Sequence, residues 1–126
     1  MSYESRIFVV DRSEIDICTP PYIYGEKIAD IKMGCMYGAP DEDEGFLDLF
    51  QYEIDYTLFI DNGDEDTKTD KYGEVTRYAD CKTVIEWLEK AMANGDTYRR
   101  LPLLLGLLKG INEDDWHDIQ VVHYGY

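Results

Sequence analysis

Residues 52–61 read YEIDYTLFID. Tyr52, Ile54, Tyr56, Leu58 and Ile60 alternate with Glu53, Asp55, Thr57, Phe59 and Asp61. A period of two belongs to a strand with one face on a core and the other in water. It is the clearest alternation in the chain. The polar run NGDEDTKTD follows as a turn, and KYGEVTRYA is expected to return as the partner strand. Residues 52–79 are therefore expected to form a β-hairpin with a nine-residue acidic tip.

On the amino-terminal side, Ile7–Val10 of SRIFVVDRS is apolar on both faces, as a central strand would be. Pro20 and Pro21 forbid helix in the next connection. In EKIADIKMGCMY, Ala29, Ile31, Met33 and Cys35 share one strand face, and Asp30 and Lys32 point the other way. GAPDEDEG is a solvated loop, and FLDLFQY has room for one helical turn.

Helical spacing begins after the hairpin. Thr83 and Glu86 fit a capping box, Val84, Ile85, Leu88, Ala91 and Met92 share a face, and Gly95 suits the stop. A second, almost wholly apolar helix is expected from Pro102 to Lys109, buried along its length. HDIQVVHYGY ends as a strand. Strands, then helices, then a strand indicate an α+β domain. The expectation is one domain over residues 1–126, with four or five antiparallel strands and two helices on one face.

The charge is the outlier: 27 acids against 12 bases, a net −15. No lysine or arginine occurs between Lys32 and Lys68, a stretch with eleven acids: Asp41, Glu42, Asp43, Glu44, Asp48, Glu53, Asp55, Asp61, Asp64, Glu65 and Asp66. Such a surface repels nucleic acid and anionic membranes and attracts basic proteins. Cys18, Cys35 and Cys81 are odd in number and widely spaced, which fits buried, reduced thiols in the cytoplasm. The charged amino terminus does not read as a signal peptide, and the longest apolar run, Leu101–Leu108, is too short to span a bilayer.

No catalytic constellation emerges. No register of the acidic loops supplies the glycine and glutamate of an EF-hand. His117 and His123 fall on one face of the expected last strand, where an imidazole pair competes with an ordinary packed histidine. No Gly-x-Ser-x-Gly, P-loop or Rossmann turn is present. The expectation is a non-enzymatic protein without metal or cofactor.

The acids admit three readings: solubility, imitation of nucleic-acid phosphates, and steering toward a basic partner without imitation. Glu53, Asp55 and Asp61 share a strand face at about 7 Å per two residues, close to phosphate spacing. Phe59 on the same face offers an apolar anchor. The expected partner surface combines Asp41, Glu42, Asp43, Glu44, Glu53, Asp55, Phe59, Asp61, Asp64, Glu65 and Asp66. Arg99 and Arg100 read first as a basic pair that caps and solubilises a helix junction; a competing site, for a nucleotide or signalling ligand, would use them with Tyr98.

The opening YESRIFVVDRS resembles the start of small acidic proteins of phages and prophages of low-GC Gram-positive bacteria. The resemblance covers about ten residues together with size and acidity, and carries no catalytic residue across. It implies an inhibitor of host machinery, of the anti-CRISPR or other anti-defence kind, some of which look like DNA mimics. Alternatives are a ligand sponge or a phage structural or assembly protein. The expected partner is a basic, nucleic-acid-binding host protein, with no direct contact to nucleic acid or membrane.

Overall fold

A computed structural model describes residues 5–15, 22–34, 46–59, 69, 73–93, 95 and 100–125. The strands are β1 (Ser5–Ile15), β2 (Tyr22–Gly34), β3 (Tyr52–Glu53), β4 (Thr57–Phe59), β5 (Arg77–Asp80) and β6 (Ile119–Gly125). The helices are α1 (Cys81–Ala93) and α2 (Leu101–Lys109). Single 3-10 turns occupy Phe46–Leu49 and Glu113–Asp118. The six strands form one sheet in the order β3-β5-β6-β1-β2-β4.

β3 and β4 lie at opposite ends of that order, yet only Ile54, Asp55 and Tyr56 separate them. Glu53 and Thr57 are joined by roughly 14 Å of chain at most. The two sheet edges must approach within that reach, so the sheet curls. Tyr52 and Glu53 pair with Tyr78 and Arg77 of β5, and the Ile54 amide donates to the Thr76 carbonyl at 3.2 Å. The chain then crosses, and Thr57–Phe59 pairs in parallel with Tyr24–Glu26 of β2.

This corrects two expectations. Residues 52–59 are not one arm of a continuous hairpin, because Thr57–Phe59 pairs with β2. The sheet is mixed and six-stranded, because β4 arrives by a crossover and runs parallel to β2. The tip acids lie outside the described residues, although an isolated bridge joins Thr69 to Val75.

The alternation holds from Ile54 to Leu58, while Tyr52 is exposed. Ile54, Tyr56 and Leu58 are buried inside the curl with Phe8, Val10, Val122 and Tyr124. Phe8 and Tyr124 stack at 5.2 Å. Gly25 lies under the crossing chain: a Cβ there would come 2.5 Å from a ring carbon of Tyr56 and 2.7 Å from a methyl of Val10. Only a residue without a side chain lets the strand pass so closely.

The opposite face of the sheet carries the larger core. Ile7, Val9, Ile31, Met33, Ala79 and Val121 meet Val84, Ile85 and Leu88 of α1 and Leu101, Leu104 and Leu108 of α2. β1 is central and buried on both faces, as Ile7–Val10 suggested. The expected turn at FLDLF packs Phe46 on Phe50 at 5.3 Å and on Trp87 at 5.4 Å.

Helix details differ in two places. α1 begins at Cys81 directly after β5, so Thr83 is inside the first turn and does not cap. The stop at Gly95 holds: its φ is +86°, and its amide donates to the Met92 carbonyl. α2 is not buried along its length. It buries Leu101, Leu104 and Leu108, while Leu103 is 58% exposed, because only one stripe of a surface helix can face the sheet.

Candidate functional site

Strand parity sets the outward face of the crossing chain. With Ile54 and Tyr56 turned in, Glu53 and Asp55 turn out, and both are exposed. Among the described residues, Asp55 has a loose partner in Arg12, whose Nε is 4.0 Å away. The strand breaks after Glu53 and resumes at Thr57, so Glu53 and Asp55 do not share one continuous strand as the alternation suggested. Phe59 ends β4 opposite Glu26. Asp41–Glu44, Asp61 and Asp64–Asp66 lie outside the described residues.

A second acidic group comes from segments far apart in the chain. Asp11 on β1 faces Glu26 on β2 and Ile119 on β6 in register. The 3-10 turn before β6 adds Asp115 and Asp118. Burial raises the Asp11 pKa above its ordinary 3.8, and the charges of Asp118, Glu26 and Asp115 raise it further. The turn is held by its own bonds: Asn112 Oδ1 accepts from the Asp114 amide at 3.0 Å, and Trp116 Nε1 donates to the Ile111 carbonyl at 3.0 Å. Sequence reading missed this group because positions 11, 26, 115 and 118 become neighbours only through strand pairing.

Several bases are already engaged. Arg6 and Lys27 both bind Asp30, at 3.0 and 3.2 Å, and Lys27 also sits 4.8 Å from the centre of the Phe8 ring. Lys109 binds Glu89 at 2.6 Å. Arg100 Nη1 donates to the Lys32 carbonyl, which ties the start of α2 to β2. That is a structural role at the helix junction, the one expected first of the basic pair. Tyr98 and Arg99 lie outside the described residues.

The histidines are not paired on a strand. His117 is exposed in the 3-10 turn, 3.3 Å from Asp118. His123 is on β6, 3.1 Å from Ser5 Oγ and 5.8 Å from the Phe50 ring centre. β6 begins only at Ile119, because the turn capped by Asn112 takes the preceding residues. Cys81 is buried and reduced, with burial pushing its thiol up to about 11, so it is a poor nucleophile. An open groove of about 480 Å³ is lined by Asp80, Lys82, Glu113, Trp116 and His117. Among the described residues, no group of three His, Cys, Asp or Glu side chains converges to hold a metal ion. Nor is any helix among them long and apolar enough to cross a membrane.

Two expected outcomes follow from these titrating groups. Below its ordinary pKa, Asp11 is protonated folded or unfolded and costs nothing. As pH rises past 3.8 the unfolded chain ionises first, so the Asp11 contribution to stability falls until the raised folded value is passed. Asp11→Asn should therefore be more stable than the native chain at neutral pH, and the gain should shrink in high salt. Urea titrations at acidic and neutral pH measure both effects.

Tyr56 is 2% exposed, and its buried hydroxyl has no hydrogen-bond partner among the described residues. Burial raises its pKa, with the nearby Tyr78 and Asp55 adding to the rise. The unfolded chain releases this proton first, so stability falls as pH rises above 10. Tyr56→Phe should remove that alkaline loss. It should leave neutral stability unchanged or higher by about 1 kcal/mol, since the deleted hydroxyl makes no hydrogen bond among the described residues. Thermal melts at neutral and alkaline pH separate the two.

No protein-family model, curated protein or solved structure matches the chain.

Proposed function

We propose that this chain is a non-enzymatic binding protein whose acidic surface occupies a basic, nucleic-acid-handling surface of another protein. The observation that carries the reading is the outward placement of Glu53 and Asp55, both exposed, on a chain of net −15; Glu53 lies opposite Arg77 in the β3–β5 pair, and Asp55 is 4.0 Å from Arg12 Nε. The Asp11–Glu26–Asp115–Asp118 group extends the same charge to another part of the sheet. Like charges opposed in register destabilise a fold, so their retention fits a binding role. The amino-terminal resemblance supplies the context: a phage-encoded inhibitor in the host cytoplasm, acting on a defence protein in the anti-CRISPR manner.

Steering explains the arrangement better than imitation of a regular phosphate ladder, because the strand that would carry the ladder bends at 54–56. Arg100, engaged on the Lys32 carbonyl, gives the ligand-sponge alternative less to work with.

Affinity capture from a Gram-positive host lysate tests the proposal. It is run at low and high salt beside a variant with Asp41–Glu44, Glu53, Asp55, Asp61 and Asp64–Asp66 changed to Asn and Gln. The expected result is a nucleic-acid-binding protein held by the native chain at low salt and lost by the variant. Equal retention by both chains would refute the proposal.

A further inference from the structure

Tyr52 and Tyr78 face each other across the β3–β5 pair, with ring centres 5.5 Å apart and planes 34° apart. Tyr52 is 55% exposed, although Ile54, Tyr56 and Leu58 are buried. It sits at the rim where the curled sheet begins its crossing. Asp55 follows three residues later with its side chain 68% exposed, and Asp80 is exposed two residues beyond Tyr78. The Tyr78 hydroxyl feels both carboxylates: burial raises its pKa first, then Asp55 and Asp80, while Arg12 opposes them and Tyr52 adds to the rise. Strand parity puts Asp80 on the same side of β5 as Tyr78, and Asp55 lies in the crossing that leaves Tyr52, so both carboxylates are near the exposed edge of the aromatic pair.

We propose that the Tyr52–Tyr78 pair, bordered by Asp55 and Asp80, is a platform for an arginine side chain of a basic partner protein. This rests on the acidic-surface reading and says where on that surface affinity concentrates. Charge complementarity selects the occupant. A guanidinium is flat, stacks on aromatic faces, and donates to carboxylates along its edges at the same time. A lysine ammonium has no plane to stack and gives up more hydration. A nucleobase could also stack on tyrosine, but its phosphates would meet the carboxylates on a chain of net −15. Arg12 approaches Asp55 only to 4.0 Å, and the Asp55 side chain stays 68% exposed.

The test titrates oligo-arginine and oligo-lysine peptides of equal length into the full chain at low salt. Dissociation constants are read together with the NMR ring signals of Tyr52. The arginine peptide should bind about three- to tenfold tighter and shift those signals. Tyr52→Ala should bring the arginine peptide to the affinity of the lysine peptide and leave the latter unchanged. Tyr52→Phe keeps the ring and should keep the preference. Equal affinities in the native chain, or a preference surviving in Tyr52→Ala, would overturn the platform while leaving the acidic surface in place. Failure of both peptides to bind would sink the platform and the acidic-surface reading together.

Discussion

Gly25→Val is expected to lower the free energy of unfolding by about 3 kcal/mol, a large share of the stability of a domain this size. A Cβ at position 25 points at a Tyr56 ring carbon 2.5 Å away and a Val10 methyl 2.7 Å away. Neither neighbour has room to move, since Tyr56 is 2% and Val10 0% exposed. The clash falls where the crossing chain passes over β2, so relief requires β4 to lift from Tyr24–Glu26. Gly106→Ala is the control. A Cβ there meets nothing within 4 Å, and the site is exposed in α2. That substitution should raise stability by about 0.5–1 kcal/mol. Urea midpoints for the two variants should therefore move in opposite directions. A Gly25→Val midpoint equal to the native one would mean that the chain does not cross there.

Neutralising the acids is expected to have the largest effect on binding. With Asp41–Glu44, Glu53, Asp55, Asp61 and Asp64–Asp66 changed to their amides, association with a basic partner should slow by roughly 10–100-fold at low salt. Raising the salt should slow the native chain toward the variant and leave the variant nearly unchanged, because screening has little left to remove. Dissociation should respond less, since short-range contacts such as the Tyr52–Tyr78 pair set it. Stopped-flow association at several ionic strengths measures this. A native association rate insensitive to salt would remove steering from the account.

The sequence carried the interior well and the connections poorly. Inward parity at Ile54, Tyr56 and Leu58 was readable because burial on one strand face is a local pattern. The face of β2 with Ala29, Ile31 and Met33, the doubly buried β1 and the Gly95 stop were readable for the same reason. The crossover at 54–56 was not. Alternation says which way side chains point and nothing about which strand lies alongside, so 52–59 looked like half of a hairpin. The glycine that permits the crossing, Gly25, is ordinary in sequence, and its reason is a ring that arrives from thirty-one positions away.

The site divides in the same manner. Glu53 and Asp55 were legible as outward acids, whereas Asp11, Glu26, Asp115 and Asp118 gather only after β1 pairs with both β2 and β6. Arg100 was legible as part of a helix junction, but not as reaching β2. Its Lys32 partner is 68 residues distant.

The most direct test of the central claim is competition. The partner captured on the immobilised chain is challenged with the nucleic acid that it normally binds. If the acidic surface occupies the partner's nucleic-acid groove, DNA or RNA should release the partner in proportion to its own affinity, and no complex should contain all three. A stable ternary complex, with nucleic acid bound and the chain still in place, would contradict it.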